Sequence, residues 1–332
     1  MRVVSLLPSA TEIILALTGP DAVRGEGPVR LVGRSHECDW PPDVGLNRIP
    51  ALTAARTHFT TSAAVDQAVR TALAAGESLY TLDTALLASV RPDVIITQDL
   101  CEVCSIDLET VRQAAASISP VPKVVSLNPQ TFDDVLDDIM SVGEAVGMSK
   151  RSIEVVAGLR ERASRAQEYV NPYTEPPSVA FLEWTDPLFV GGHWTPQLIE
   201  RAGGAHPLNP SRPADGSGAA AGMIGQTMRR AGKSIRVSPE QLTESRPEWL
   251  LVCPCGLTLD QAWRETELLS RHTWWGDLPA VRRGQVAVVD GSQMFNRPGP
   301  RLVDGLEFLA GLIGERPGLI PANFPWRPWR AV

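Results

Sequence analysis

The sequence has little of what marks a membrane-spanning or nucleic-acid-binding protein. No apolar run approaches the roughly 18 residues that a membrane-spanning helix needs, so we expect no transmembrane segment. The 31 lysines and arginines are outnumbered by 38 aspartates and glutamates, and the basic residues form no block. Because binding to a phosphate backbone relies on clustered positive charge, we also expect no nucleic-acid partner.

An export signal is also missing from the amino-terminal sequence. MRVVSLLPSATEI passes from a short apolar run directly into a Pro-Ser turn, without the longer apolar region and small-residue cleavage site of a signal peptide. The five cysteines are an odd number and do not resemble a secreted disulfide framework. We therefore expect a cytoplasmic protein, or an exported one if its amino terminus has been processed.

Sequence motifs of common catalytic sites are absent as well. The chain has no GxSxG elbow, no GxxxxGKS/T loop, no HExxH and no GxGxxG after a strand. A binding protein is therefore predicted, not an enzyme. The catalytic alternative that stays open is a Cys-His hydrolase, in which Cys38 or Cys101 pairs with His36 or His193.

What the sequence does contain is an alternation of strand and helix patterns. Residues 2–7, RVVSLL, predict a buried strand, and the helix that follows over IILAL has Ser9 or Thr11 as its predicted cap. Further strands are predicted at LVGR, VIIT and within VPKVVSLNP. This alternation predicts an α/β fold with mainly parallel sheets flanked by helices, whose ligands collect beyond the carboxyl ends of the strands.

Length and helical pattern divide the chain into two lobes and a connection. The 332 residues exceed the usual size of one domain. Helical patterns begin at Phe132, break at Gly147 and restart at Ser149 as one long helix, before the proline-rich linker NPYTEPP. We predict an amino-terminal α/β lobe over 1–130, a helical connection over 131–177 and a carboxyl-terminal α/β lobe over 178–332.

A weak internal repeat indicates that the two lobes are related. LLASVRPDVIITQDLC in the first half matches QLTESRPEWLLVCPC in the second, each with a helix end, Arg-Pro-acid, an apolar strand and a cysteine loop. The alternative is that Arg-Pro-Asp/Glu is a common turn between a helix and a strand. The matching position of the two segments in the two halves favours duplication.

Five motifs, in order along nearly the whole chain, carry a family resemblance: SLLPSATEI, GRSHECDWPP, RPDVIITQDLCEVC, FLEWTDPLFVGGHWTPQLIERAGG and MFNRPGPRLVDGLE. Together they resemble the cobalamin-binding members of the ABC-transporter solute-binding proteins. The missing export signal and the cysteines make the chain similar to an unsecreted branch. The resemblance implies two α/β lobes joined by one long backbone helix, here residues 149–170.

The resemblance also implies a ligand and partners. Members of this family bind cobalamin, haem or metal-siderophore complexes in the cleft between the lobes. We therefore expect a corrinoid or another tetrapyrrole-sized ligand, held by a monomer that acts in uptake or intracellular handling. The expected partner is an ABC permease or a cobalamin-handling protein.

The predicted ligand residues lie in loops that follow predicted strands. Aromatic faces supply contact area to a large planar ligand, while a few polar groups fix its orientation. Each tryptophan could instead be a packing residue. The predicted set is Pro8, Ser9, His36, Trp40, Asp99, Trp184, Asp186, His193, Trp194, Phe295, Asn296 and Arg297.

The cysteines suggest a metal site as an alternative. CEVC has a spacing at which both sulfurs can reach one tetrahedral ion, so zinc or an iron-sulfur cluster in an enzyme or sensor stays possible on the residues alone. The same thiols could contact an organic ligand, or be inert or redox-active. The candidate metal ligands are Cys38, Cys101, Cys104, Cys253 and Cys255.

The four histidines other than His36 divide into two groups. His193, within GGHWTP, could be an axial ligand to cobalt or iron, or a turn residue bonded to the backbone. His58, His206 and His272 stand in polar stretches and are predicted to lie at the surface.

Overall fold

The computed structural model describes residues 1–56, 59–75, 78–99, 106–171, 173–214 and 229–330. The chain divides into two compact units. The first unit comprises Met1–Thr60, Ala64–Pro129 and Asp134–Leu159, and the second comprises Thr61–Ala63, Gln130–Asp133 and Arg160–Val332. The helical segment after residue 131 is shared between the two units. The predicted division into 1–130, 131–177 and 178–332 stays a prediction from the sequence.

The first half of the chain supplies a parallel sheet. Its strands are β1 (Arg2–Ser5), β2 (Arg30–Arg34), β3 (Thr53–Ala55), β4 (Tyr80–Leu82), β5 (Val94–Gln98) and β6 (Lys123–Leu127). Four of them form a sheet in the order β2-β1-β5-β6, in which all neighbours run parallel. Strands β3 and β4 pair separately as an antiparallel ribbon. The predicted parallel sheet is confirmed.

Helices follow most of these strands. They are α1 (Pro8–Thr18), α2 (Asp21–Arg24), α3 (Ser62–Ala74), α4 (Thr84–Ser89), α5 (Leu108–Ala116), α6 (Phe132–Ala145) and α7 (Ser149–Gln167). Every residue of β5 is buried, as expected for a strand of a parallel sheet covered on both faces. Val4, Leu6, Ile95 and Val111 belong to one apolar cluster of this unit.

The start of α1 corrects the predicted cap. The helix begins at Pro8, and neither Ser9 nor Thr11 caps it, since the N-cap residue Leu7 makes no side-chain cap. Proline suits the first helical position because its φ is already near the helical value and its missing N–H would be unpaired there anyway. Ser9 and Thr11 therefore lie inside the helix and are buried.

The second unit contains a mixed sheet. Its strands are β7 (Val179–Thr185), β8 (Leu188–Val190), β9 (Arg212–Pro213), β10 (Arg229–Arg230), β11 (Ile235–Arg236), β12 (Trp249–Val252), β13 (Val286–Val289) and β14 (Trp326–Trp329). The six-stranded sheet has the order β11-β8-β7-β12-β13-β14, with the pairs β7–β12 and β12–β13 parallel and the outer pairs antiparallel. Strands β9 and β10 form a short antiparallel ribbon.

Five helices lie in the described part of the second half. They are α8 (Trp194–Arg201), α9 (Pro239–Glu244), α10 (Leu259–Leu269), α11 (Pro279–Arg282) and α12 (Leu302–Ile313). Both α9 and α10 begin with reciprocal side-chain caps, Ser238 with Gln241 and Thr258 with Gln261. These caps satisfy backbone N–H groups that the first helical turn leaves unpaired, so the starts of both helices are fixed locally.

The two repeat segments adopt the same local structure. Arg91 and Arg246 both take a left-handed φ, of 41° and 45°, after α4 and α9. Two residues later, Asp93 accepts a hydrogen bond from the backbone N–H of Arg2 (2.7 Å), and Glu248 accepts one from that of Ser178 (3.4 Å). Each acidic side chain thus ties its strand to the start of the first parallel strand of its own unit, which supports duplication over a chance turn.

His206 corrects a prediction of surface exposure. It is 1% exposed, and its Nδ1 lies 2.8 Å from the carbonyl oxygen of Val179. Burial lowers the pKa of its imidazole, which favours the neutral ring. The polar sequence around His206 misled the prediction because the backbone folds this side chain against β7. His272, in contrast, is exposed as predicted.

No helix among the described residues is both long and apolar enough to cross a membrane.

One buried carboxyl group of α6 predicts a measurable pH effect. The pKa of Asp138 is raised to about 7, chiefly by burial and then by the charges of Asp134 and Asp137, and its Oδ2 has no hydrogen-bond partner. A folded-state pKa above the unfolded value means that ionisation costs stability, and this cost grows as pH rises from about 4 to above 7. Asp138→Asn should stabilise the protein by on the order of 2 kcal/mol at pH 8, with the gain disappearing near pH 4.

Urea unfolding at several pH values measures this difference. Glu144→Gln is the matched control, because Glu144 is exposed on the same helix and is not among the charges that raise the pKa of Asp138. If Asp138→Asn changed stability equally at pH 4 and pH 8, the buried carboxyl group would not be the cause.

Candidate functional site

Most of the predicted ligand residues follow strands that run parallel within their own sheet. In the first unit, His36 and Trp40 follow β2 and Asp99 follows β5. In the second unit, Asp186 follows β7 and Asn296 lies in the segment after β13. Parallel strands end at the same edge of a sheet, so each unit collects its own loop residues at one edge.

A network of small polar groups fixes the loop after β2. The Thr11 hydroxyl donates to Ser5 Oγ (2.8 Å) and contacts Cys38 Sγ (3.0 Å), while Ser5 Oγ donates to the carbonyl oxygen of Leu7 (2.9 Å). The Cys38 N–H donates to the carbonyl oxygen of Ser35 (3.1 Å). Cys38 is buried in this network, so its thiol has a structural role in holding the loop against β1 and α1.

His36 is held by the hydroxyl of Thr53. Its Nδ1 lies 2.7 Å from Thr53 Oγ1, its backbone N–H donates to the same oxygen, and its ring packs against Tyr80 at 5.7 Å between centroids. Burial is the main cause that lowers its pKa; Arg34 lowers it further and Glu37 opposes the shift. The ring is therefore neutral near pH 7, and no described residue forms a hydrogen bond with Nε2.

The remaining predicted residues of the first unit differ in exposure. Trp40 is 37% exposed and Asp99 is exposed, whereas Ser9 is buried and Pro8 is half-buried. Asn128, which follows β6, accepts a hydrogen bond from the backbone N–H of Asp99 through its Oδ1 (2.7 Å). Sequence reasoning missed Asn128, although its position after a parallel strand was a signal that could have found it.

Trp184 lies near the end of β7, and Asp186 occupies the tight turn between β7 and β8. The Trp184 indole N–H donates to the carbonyl oxygen of Asp186 (3.2 Å), which closes the turn. Asp186 is exposed and Trp184 is half-buried. Both side chains therefore keep surface that a ligand can contact.

Trp194 and Phe295 are core residues of the second unit. Trp194 is 6% and Phe295 is 1% exposed, and the Trp194 indole N–H donates to the carbonyl oxygen of Phe295 (2.7 Å). The Phe295 ring makes edge contacts with Phe181, Phe308 and Phe324. The ring surfaces of both residues are therefore occupied by packing within the second unit.

The segment after β13 is tied to the cysteine loop after β12. Asn296 Nδ2 donates to the carbonyl oxygens of Gly291 (2.9 Å) and Cys253 (3.4 Å). A Cβ at Gly291 would lie 1.8 Å from the carbonyl oxygen of Pro254, so only glycine permits this close approach of the two loops. Arg297 is buried beside them, at 8% exposure. The Asn296 amide thus holds this edge together.

Cys253, in the second unit, is not a preformed thiolate. Cys253 is fully buried, and burial raises its pKa well above the usual value, with Cys255, Asp290 and Glu183 adding to the shift. Cys101 and Cys104 lie outside the described residues. Within the described ranges no group of three His, Cys, Asp or Glu side chains could hold a metal ion. Zinc or iron-sulfur ligation by the five cysteines stays a prediction.

His193 occupies a strained position in the loop after β8. Its φ is 52°, its backbone N–H donates to the carbonyl oxygen of Gly232 (2.9 Å), and its Nδ1 lies 3.2 Å from Gln130 Oε1. Burial and the charge of Lys233 lower its pKa. Because β8 runs antiparallel to β7, its carboxyl end points away from the edge where β7 ends. The expectation that every loop after a strand shares one edge therefore does not extend to this loop.

Each of the two units has an α/β sheet with polar and aromatic loop residues at one edge. This arrangement is typical of a ligand-binding protein. The chain belongs to the periplasmic binding protein family, whose model matches residues 3–292. No functionally curated protein matches the chain.

Solved structures with the same fold include three that are named for haem or vitamin B12. The apo periplasmic heme-binding protein RhuT from Roseiflexus sp. RS-1 is 22% identical, with 95% of this chain and 98% of that one covered and a TM-score of 0.64. A periplasmic heme-binding protein from Pseudomonas aeruginosa is 19% identical (100% and 99% covered, TM-score 0.67). The vitamin B12-binding protein BtuF of Vibrio cholerae is 18% identical (95% and 97% covered, TM-score 0.61).

The different burial of the cysteines predicts different thiol reactivity. Cys38 and Cys253 are buried, while Cys255 is partly exposed. The thiolate is the reactive form, so a buried thiol with a raised pKa reacts slowly. During brief iodoacetamide treatment of the native protein at pH 8, Cys255 should be alkylated at least about tenfold faster than Cys253, as followed by peptide mass spectrometry.

Labelling after denaturation in guanidinium is the control and should equalise the rates. Equal rates in the native protein would contradict the buried position of Cys253.

Proposed function

We propose that this protein binds a cobalamin-like corrinoid, or a related tetrapyrrole-type metal chelate, for uptake or intracellular handling. The observation that carries the proposal is that each unit places loop residues at one edge of its sheet. In the first unit Trp40, His36 and Asp99 follow parallel strands. In the second unit Trp184 lies near the end of β7 and Asp186 follows that strand. Aromatic surface with a few placed polar groups is what a large planar ligand requires.

The family and the names of the similar structures support the same ligand class. The chain belongs to the periplasmic binding protein family, and RhuT and BtuF are named for haem and vitamin B12. We propose an ABC permease or a cobalamin-handling protein as the partner and a monomer as the working form. The cytoplasmic location expected from the amino-terminal sequence stays a prediction, whereas RhuT and BtuF are named as periplasmic.

The proposed ligand contacts are the residues that keep accessible surface at these edges. Asn296 and Arg297 contribute mainly by shaping the edge of the second unit, because Asn296 is bonded to two carbonyl oxygens and Arg297 is buried. The proposed contact set is Pro8, His36, Trp40, Asp99, Trp184 and Asp186.

Ligand binding tests the function directly. Cobalamin, its base-free relative cobinamide or hemin, added to the purified protein, should change the absorbance of the chelate and raise the melting temperature, since a ligand of the native state stabilises it. Trp40→Ala should weaken binding about tenfold by removing one aromatic face. Titration calorimetry gives the affinities.

Tyr173→Ala is the matched aromatic control, because Tyr173 is 94% exposed and outside the proposed set. The Tyr173→Ala variant should bind the chelates with the same affinity as the unmodified protein. If none of the three chelates bound at saturating concentration, the proposed function would be wrong.

His36 is the proposed axial ligand of the chelated metal. It lies at the strand edge, its ring is oriented by Thr53 and Tyr80, and a neutral imidazole nitrogen suits cobalt or iron. His193 is less suited, because its loop leaves the sheet in the other direction. With cobinamide, the protein should therefore produce the absorbance bands that free imidazole produces with cobinamide in solution.

Replacing each histidine separates the two candidates. His36→Ala should lose these bands while still binding cobinamide, and added free imidazole should restore them. His193→Ala should keep them. Loss of the bands in His193→Ala alone would transfer the axial role to His193.

A further inference from the structure

The second unit contains a cavity whose wall shares only Asp186 with the residues proposed to contact the chelate. Its volume is about 570 Å³, within the range of small-molecule sites. All residues of its wall belong to the second unit. The cavity lies between the turn after β7, the segment from β11 into α9, the α10 helix and the residues around Trp274.

A buried carboxylate forms part of the wall. Glu265, in α10, is 6% exposed. Its Oε2 accepts hydrogen bonds from Ser62 Oγ (2.5 Å) and Thr185 Oγ1 (2.7 Å), and the two hydroxyl oxygens lie 2.7 Å apart. Both partners are neutral, so they satisfy hydrogen bonding at one oxygen without balancing the charge.

The charge of Glu265 has no cation beside it in the described part of the chain. No described lysine, arginine or histidine pairs with it, and its Oε1 receives no hydrogen bond from the described residues. The wall includes Arg236, which is exposed and makes no ion pair with Glu265, and a second acidic residue, Asp186. A buried carboxylate without a counter-charge is costly, because its lost hydration is not repaid.

The rest of the wall is mainly apolar. Pro187, Leu188, Val237 and Leu269 contribute aliphatic surface. Trp274 adds an aromatic ring, stacked on His272 with 5.6 Å between centroids and 18° between planes. A ligand that fits this wall combines a cationic head with an apolar body.

We propose that this cavity binds a small organic cation, a primary ammonium group on an apolar body, with Glu265 as its anchor. The ammonium head donates hydrogen bonds to the carboxylate and supplies the missing positive charge, while the body packs on the aliphatic wall and Trp274. A bare divalent metal ion is disfavoured, since the described residues offer no set of three ligands of the usual types. The cavity and the proposed chelate contacts share Asp186, but the anchor Glu265 is not one of those contacts.

Two matched probes separate charge from apolar contact. Benzylammonium chloride and benzyl alcohol have nearly the same shape, but only the first carries a positive charge. Titration calorimetry and thermal shift should show saturable binding of benzylammonium at one site per chain, with benzyl alcohol at least about tenfold weaker because it does not neutralise the carboxylate.

Three variants test the anchor and the cavity. Glu265→Gln keeps the shape, removes the charge and should weaken benzylammonium binding by about tenfold or more. Glu267→Gln is the control on the same helix, because Glu267 is exposed and outside the cavity, and it should bind normally. Leu268→Trp fills the cavity from an exposed position (Leu268 is 43% exposed) and should block binding even if Glu265→Gln fails to fold.

Equal binding of the alcohol and the ammonium would reduce the cavity to an apolar pocket and overturn the proposal. Full affinity in Glu265→Gln or in Leu268→Trp would do the same, as would the absence of any benzylammonium binding.

Discussion

The parallel pairing of the central strands is the constraint on which the rest of each unit depends. In the first unit β1 pairs with β5, and in the second β7 pairs with β12. An acidic side chain at the start of each second strand, Asp93 or Glu248, accepts a hydrogen bond from the backbone where the first strand begins. This pairing fixes the register and brings the loops after the strands to one edge, where binding residues can collect.

The same hydrogen-bonding groups stabilise the fold and position the candidate site residues. Thr11, Ser5 and Cys38 hold the loop that presents His36, and Thr53 orients the imidazole itself. In the second unit Asn296 joins two loops, and Trp194 donates to the backbone of Phe295. Side chains used in this way are committed to the fold, and the surface that we propose for the ligand belongs to neighbours such as Trp40, Trp184 and Asp186.

Family membership and fold agree with the resemblance carried by the five sequence motifs, whereas the ligand rests on a proposal. The family model covers residues 3–292, and the similar structures, at 22% identity or less, share the fold. The cation site proposed around Glu265 differs in chemistry from the strand-edge loops, because a buried carboxylate attracts a positive charge whereas the loops offer aromatic and imidazole groups.

The sequence by itself determined the features that depend on short-range patterns. Apolar strands alternating with helical patterns predicted the α/β fold, and the matched Arg-Pro-acid segments predicted two turns of the same geometry. Only the tertiary structure decided which side chains pack inside. Trp194, Phe295 and His206 stand in loop-like sequence yet are buried, and β8 reverses direction, which moves His193 from the expected edge. Burial and strand direction are set by contacts between residues far apart in the chain, and one sequence shows only the local pattern.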